Sequence, residues 1–165
     1  MTLWRDWGNW IDKEEGVPDE ADDQIRRLLD EGDVLLDGDR IEEAMSRYRA
    51  AWDLLPEPRT DQPLALDVLA AMGDAHFSRG DFAAGRDAFM TAMKCFQGEP
   101  VGNPFLRLRL GQCMYEMGEA KETANWLAGA YLSEGVALFA HDDPKYLEFI
   151  KSQLKPPPGG WPEGW

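Results

Sequence analysis

One arrangement of small and large residues occurs three times along the chain, and equivalent residues of successive copies are separated by the same intervals. Gly32 precedes Gly73 by 41 residues, and Gly73 precedes Gly111 by 38. A second small position repeats both intervals, in Ala44, Gly85 and Thr123. A period of about 20 to 50 residues is the signature of a repeat array, in which each unit buries its apolar face against its neighbours. The chain is therefore expected to fold as three similar units.

The spacing of apolar residues predicts two helices in each copy. In the first copy Ile41, Met45 and Tyr48 recur at intervals of three and four, which is the repeat of one helical face. A glycine followed by an acid separates the two helices of each copy, because glycine can end one helix and the acid can cap the next. These pairs are Gly38-Asp39, Gly80-Asp81 and Gly118-Glu119.

Two further segments predict where helices begin. Asn103-Pro104 and Asp143-Pro144 each place a capping residue before a proline, the usual arrangement at a helix start. The second of them opens a last amphipathic helix over 143–155, suited to covering the open end of a stack.

The glycine, alanine and aromatic positions resemble the tetratricopeptide repeat family, in three copies over roughly residues 20 to 135. The third copy departs from the pattern, with Arg107 at a usually bulky apolar position and Thr123 at the small one. The resemblance implies an all-α fold, a right-handed superhelical stack of three helix pairs with a C-terminal capping helix. The expected segments are a Trp-rich N-terminal segment at 1–18, the helix pairs at 19–139, the capping helix at 143–155 and a Pro/Gly/Trp tail at 156–165.

The same resemblance implies a concave groove, lined by the first helix of each pair, that holds peptides or proteins. The positions that correspond to the family's groove are Asp33, Leu36, Asp37, Asp67, Asp74, Phe77, Phe105, Gln112, Tyr115 and Glu116. Relatives that act as chaperone co-factors grip an acidic peptide with Asn and Lys, whereas Asp33 and Asp74 would repel one. A basic ligand fits better. The alternative, that Phe77 and Tyr115 only pack between adjacent repeats, stays open.

The net charge limits the classes of partner. The chain carries 31 acidic and 17 basic residues, a formal charge of −14. This excess opposes a phosphate backbone or an anionic bilayer, so neither nucleic acid nor membrane is expected as a partner. Residues 1–63 hold 18 of the acids and only 8 of the bases, which would speed encounter with a basic protein. An acidic surface kept only for solubility explains the same excess.

No pattern indicates catalysis, a metal or a cofactor, and the chain is expected not to be an enzyme. The segment Asp33 to Asp39 resembles a calcium loop, but Leu35 and Ala44 stand where ligands belong. His76 is expected to pack in the core. Cys95 and Cys113 form neither a disulfide framework nor a metal-binding spacing. Without an apolar run of about 18 residues or a signal-peptide pattern, a soluble cytoplasmic protein is expected.

Tryptophan is concentrated near the two ends of the chain. Five of the seven tryptophans are Trp4, Trp7, Trp10, Trp161 and Trp165. Since indole rings are costly to leave in water, these side chains are expected to pack on the helix pairs or to meet a partner.

The last third of the chain resembles small bacterial repeat proteins encoded beside polymorphic toxins. The resemblance rests on residues 142–151, on the Pro156-to-Trp161 segment and on the Ala130-Tyr131 pair. It implies an immunity protein, which binds and neutralises a toxin domain without transforming it, and the acidic charge of the chain favours a toxin domain with a basic surface. A secretion chaperone of the same repeat class and a general adaptor remain the alternatives.

Overall fold

The computed structural model describes residues 20–95 and 103–161, and every regular element in these ranges is helical. The all-α prediction is confirmed for them. The chain divides into two compact units, Met1–Val101 and Gly102–Trp165. The Trp-rich segment expected at 1–18 lies outside the described residues, as do residues 162–165 of the tail.

The first unit contains two helix pairs. Helix α1 packs on α2 and α3 packs on α4, while α3 also contacts both α1 and α2. Since consecutive helices are joined by short turns, each pair is antiparallel and buries the stripe that its sequence predicts. The bounds are α1 Glu20–Asp37, α2 Ile41–Leu54, a 3₁₀ turn Arg59–Asp61, α3 Ala65–Ser78 and α4 Phe82–Ala92.

The second unit contains the third pair and a last helix. Helix α5 packs on α6, and α7 packs on α6 and on the 3₁₀ segment that precedes it. Both predicted helix starts are confirmed, because Asn103 Oδ1 accepts from the Leu106 amide at 3.2 Å and Asp143 Oδ1 from the Lys145 amide at 3.0 Å. The bounds are α5 Pro104–Glu116, α6 Ala120–Glu134, the 3₁₀ segment Gly135–Phe139 and α7 Pro144–Gln153.

Each pair closes on the same contact between a glycine and a large side chain. A Cβ atom added to Gly73 would lie 2.6 Å from the Phe89 ring, closer than real Cβ contacts allow. A Cβ at the other two central glycines would likewise overlap the large residue of the second helix; these pairs are Gly32 with Tyr48 and Gly111 with Leu127. All three large side chains are fully buried. The repeated small residues therefore exist because two helices approach closely at these points.

The turns within the pairs correct the prediction that each glycine ends one helix and the following acid caps the next. The residue with positive φ is Gly80 in the second pair (80°) and Gly118 in the third (78°), but Asp39 in the first (59°). Gly38 was expected in that role. Asp39 is thus not the capping residue of α2; Arg40 is, and its side chain makes no capping hydrogen bond. The predicted cap is present in the second pair, where the Ala84 amide donates to Asp81 Oδ1 at 3.3 Å. In the third pair Glu119 is the N-cap residue of α6, but its side chain makes no capping hydrogen bond.

Arg107, which stands at a usually apolar position of the third copy, has hydrogen-bond partners on the neighbouring helix. Arg107 Nη1 donates to the Gly129 carbonyl at 3.3 Å and to Ser133 Oγ at 3.2 Å, both on α6. A guanidinium thus links α5 to α6 at a position where the first two copies have leucine, Leu28 and Leu69.

Candidate protein-binding surfaces

The predicted groove residues of α1 differ sharply in exposure. Asp33 is only 9% exposed, and the buried Tyr48 hydroxyl donates to its Oδ1 at 2.8 Å. Leu36 is half-buried and Asp37 is exposed. Asp30, one turn before Asp33, is exposed as well. Because spacings of three, four and seven share one helix face, Asp30 and Asp37 flank the buried carboxylate on a single stripe of α1.

The predicted residues of α3 lie in the same unit, next to α1. Asp74 is 3% exposed, whereas Asp67 and Phe77 are half-buried. The Phe77 ring meets the Phe82 ring edge-on, with centroids 5.2 Å apart and planes at 70°. Phe77 therefore packs on the first residue of α4, within its own pair, and part of its ring remains at the surface.

Phe105 and Gln112, the first two groove positions predicted on α5, are buried. Phe105 is 6% exposed and Gln112 is completely buried. Arg109 Nη1 donates to Gln112 Oε1 at 2.9 Å, and the Arg109 guanidinium lies 5.4 Å from the centre of the Phe105 ring. Arg109 also pairs with Asp142 at 3.6 Å. These side chains belong to the interior of the second unit.

Tyr115 and Glu116, the other two groove positions predicted on α5, contact α7. The Tyr115 ring is edge-on to Tyr146 and Phe149, at centroid distances of 5.4 and 5.5 Å. Glu116 Oε1 accepts from the Tyr146 hydroxyl at 2.6 Å and lies 2.7 Å from Lys145 Nζ. The end of α5 therefore holds the last helix in place.

Burial and hydrogen bonding shift three pKa values in this contact. Burial alone would raise the pKa of Glu116, but the bonds from Lys145 and Tyr146 outweigh it and lower that pKa. The hydrogen bond to Glu116 raises the pKa of Lys145. Burial and then the hydrogen bond to Glu116 raise the pKa of Tyr146. Glu116 and Lys145 are consequently an ion pair at neutral pH.

Sequence reasoning missed a polar junction around Arg79, at the turn between α3 and α4. Arg79 Nη1 donates to Glu42 Oε1 of α2 at 2.8 Å. Arg79 Nη2 lies 3.0 Å from His76 Nδ1 and 3.4 Å from Asp81 Oδ2. His76 was expected in the core, yet it is half-buried and its ring meets charged groups. The spacing of His76, Arg79 and Asp81 around a helix end was the available signal.

The acidic excess belongs to the first unit. Residues 20–95 contain 17 acidic and 9 basic side chains, whereas residues 103–161 contain 7 and 6. The exposed acids on α1, in the turn that follows it and at the start of α2 are Glu20, Asp30, Glu31, Asp37, Asp39, Glu42 and Glu43. An open groove of about 500 Å³ between α1 and α2 is lined by three of these acids, by Arg40 and Arg47 and by the exposed Val34.

Residues 20–95 and 103–161 contain neither a metal-ion site nor a membrane-spanning helix. No group of three His, Cys, Asp or Glu side chains in these ranges is placed to hold a metal ion. None of the helices there is both long and apolar enough to cross a bilayer. In comparisons over the whole chain, no protein-family model and no curated protein matches it.

Proposed function

We propose that this chain is a non-catalytic protein-binding scaffold, and specifically a cytoplasmic immunity protein that binds and neutralises a toxin domain with a basic surface. The observation that carries the proposal is the acidic excess of the first unit, 17 acids to 9 bases over residues 20–95, which persists although Glu31, Glu42 and Glu43 pair with arginines. A surface of one sign attracts a partner of the other and accelerates their encounter.

The helix pairs support a scaffold of the tetratricopeptide type. The contact of Gly32 with Tyr48 recurs in both later pairs, as the resemblance implies. We extend the proposal to the right-handed superhelical arrangement of that family. Proteins of this architecture bind other polypeptides through the faces of their helices.

The exposed acids, rather than the buried ones, are proposed to meet the partner. Asp30 and Asp37 share a face of α1 and are exposed, so they can face a basic surface. Asp33 and Asp74 are buried and therefore support the fold beneath that face. Of the groove residues predicted on α1, Asp37 is therefore proposed to contact the partner directly. Asp33 is proposed to stabilise the helix pair instead.

Two partly exposed apolar residues of the same unit, Leu36 and Phe77, supply the apolar contact that a long-lived complex also needs. Leu36 lies beside Asp37 on α1, and Phe77 lies in the last turn of α3. Apolar anchors that become buried slow dissociation, while surrounding charge mainly raises the association rate. A partner held in this way loses access to its substrate without any covalent change.

The proposal predicts that a neighbouring gene encodes a secreted protein with a variable C-terminal domain, and it is tested with that domain in its folded form. We expect a stoichiometric complex in size-exclusion chromatography with light scattering, and loss of the domain's toxicity on co-expression. An array of overlapping peptides from the same domain should show no binding. Binding to peptides together with failure to bind the folded domain would instead identify a secretion chaperone. Failure to bind either would contradict both functions.

A further inference from the structure

The guanidinium of Arg79 joins the first helix pair to the second. It donates to Glu42 on α2 at 2.8 Å and, on the second pair, approaches His76 Nδ1 at 3.0 Å and Asp81 Oδ2 at 3.4 Å. Since a guanidinium only donates hydrogen bonds, His76 Nδ1 must be the acceptor, and the ring is neutral with its proton on Nε2.

Protonation of His76 removes this acceptor. The imidazolium would then place a positive charge 3.0 Å from the Arg79 guanidinium, while the carboxylate oxygen Asp81 Oδ2 lies 3.7 Å from Nδ1, close enough to attract the charged ring. The charged groups that act on the ring are Arg79, Asp81, Arg49 and Glu42. Burial and then Arg79 lower the pKa of His76, and the carboxylates of Asp81 and Glu42 oppose them only in part.

We propose that this junction is an acid-responsive switch with two arrangements. In the neutral arrangement Arg79 bridges Glu42, His76 and Asp81. In the protonated arrangement His76 pairs with Asp81, and Arg79 is held by Glu42 alone. The inference concerns the fold of the first unit and does not depend on the proposed function.

The switch makes opposite predictions for two variants, tested by following the imidazole resonances of the full chain by NMR between pH 4 and 8. We expect the His76 midpoint to lie below about 6.5, the ordinary value for an imidazole side chain. Arg79→Met should move the His76 midpoint upward, because a repelling charge is lost. Asp81→Asn should move it downward, because the partner of the imidazolium is lost, while the asparagine can still cap α4.

The mobility of the Arg79 side chain tests whether the guanidinium leaves His76 and Asp81 when His76 is protonated. We expect its Nε heteronuclear NOE to fall through the His76 midpoint, as the guanidinium loses its partners on the second pair. In His76→Gln the NOE should stay constant over that pH range, whereas in His141→Gln it should behave as in the parent chain. A fall that persists in His76→Gln, or a His76 midpoint that neither Arg79→Met nor Asp81→Asn moves, would overturn the switch.

Discussion

The Tyr48 hydroxyl donates a hydrogen bond to Asp33 Oδ1 across 2.8 Å, between two helices that bury both side chains. Tyr48 also fills the space that Gly32 leaves open, so one side chain supports both the close approach of α1 and α2 and a buried carboxylate. In the second pair Phe89 occupies the corresponding position and can do only the first.

Tyr48→Phe is therefore expected to destabilise the protein by about 1 to 2 kcal/mol, because a buried acceptor loses a donor while the packing is kept. Urea unfolding monitored by circular dichroism measures the change. The matched control is Tyr115→Phe, whose hydroxyl makes no hydrogen bond to a described residue and which keeps its ring contacts. Equal effects of the two substitutions would show that the bond to Asp33 adds nothing.

A second prediction concerns the glycine contacts. Gly73→Ala would push a Cβ into the Phe89 ring, so we expect a net loss of about 1 to 2 kcal/mol even though alanine favours helix. Gly129→Ala in α6 meets only the Arg107 side chain, at 3.4 Å, and should be neutral or stabilising by up to about 1 kcal/mol. If both substitutions stabilise the protein in urea unfolding, the close approach of α3 and α4 is not required.

The turn of the first pair gives a third prediction. Asp39 has a φ of 59°, in the left-handed region that glycine adopts without steric cost. Asp39→Gly should therefore stabilise the protein by about 0.5 kcal/mol, measured as a higher thermal midpoint. Gly118→Ala, at the corresponding turn of the third pair, should destabilise it by about 1 kcal/mol. A lower midpoint for Asp39→Gly would mean that the carboxylate itself stabilises the turn.

The fourth prediction follows from the lowered pKa of Glu116. Because the folded state holds this carboxylate ionised more tightly than the unfolded state does, its contribution is present above about pH 4.5 and is lost as pH falls through the folded pKa. Glu116→Gln should cost about 1 kcal/mol at pH 7, and its difference from the parent should shrink in acid. Unfolding at pH 3 to 7 tests this, with the exposed Glu148→Gln as control. A difference that is independent of pH would contradict the ion pair with Lys145.

The sequence predicted the helix pairs and the two capped helix starts because these depend on local spacing. Gly32, Gly73 and Gly111 mark points where helices touch, and Asn103 and Asp143 act within one turn of themselves. Such signals need no knowledge of distant residues.

What the sequence could not show depends on contacts between remote segments. Glu116 meets Tyr146, 30 residues further along, so an expected surface position became a support for α7. The burial of Asp33 depends on Tyr48 in the next helix. The turn at Asp39 was missed because the neighbouring Gly38 offered a simpler assignment, and only the backbone angle distinguishes the two.

Charge reversal on α1 tests whether its exposed acids meet a basic partner. We would reverse the two exposed acids of its shared face, in the double variant Asp30→Lys/Asp37→Lys, and measure association with the basic toxin domain proposed as the partner, by stopped flow at low and high salt. The matched control reverses two exposed acids of the second unit, in Glu122→Lys/Glu148→Lys. Asp33 and Asp74 are left intact because their reversal would disturb the fold. We expect the α1 variant to associate about tenfold more slowly than the control at low salt. The ratio of the two association rates should approach one at high salt, because salt screens the charges. Equal association rates for the two variants at both salt concentrations would contradict the proposed contact of α1 with a basic partner.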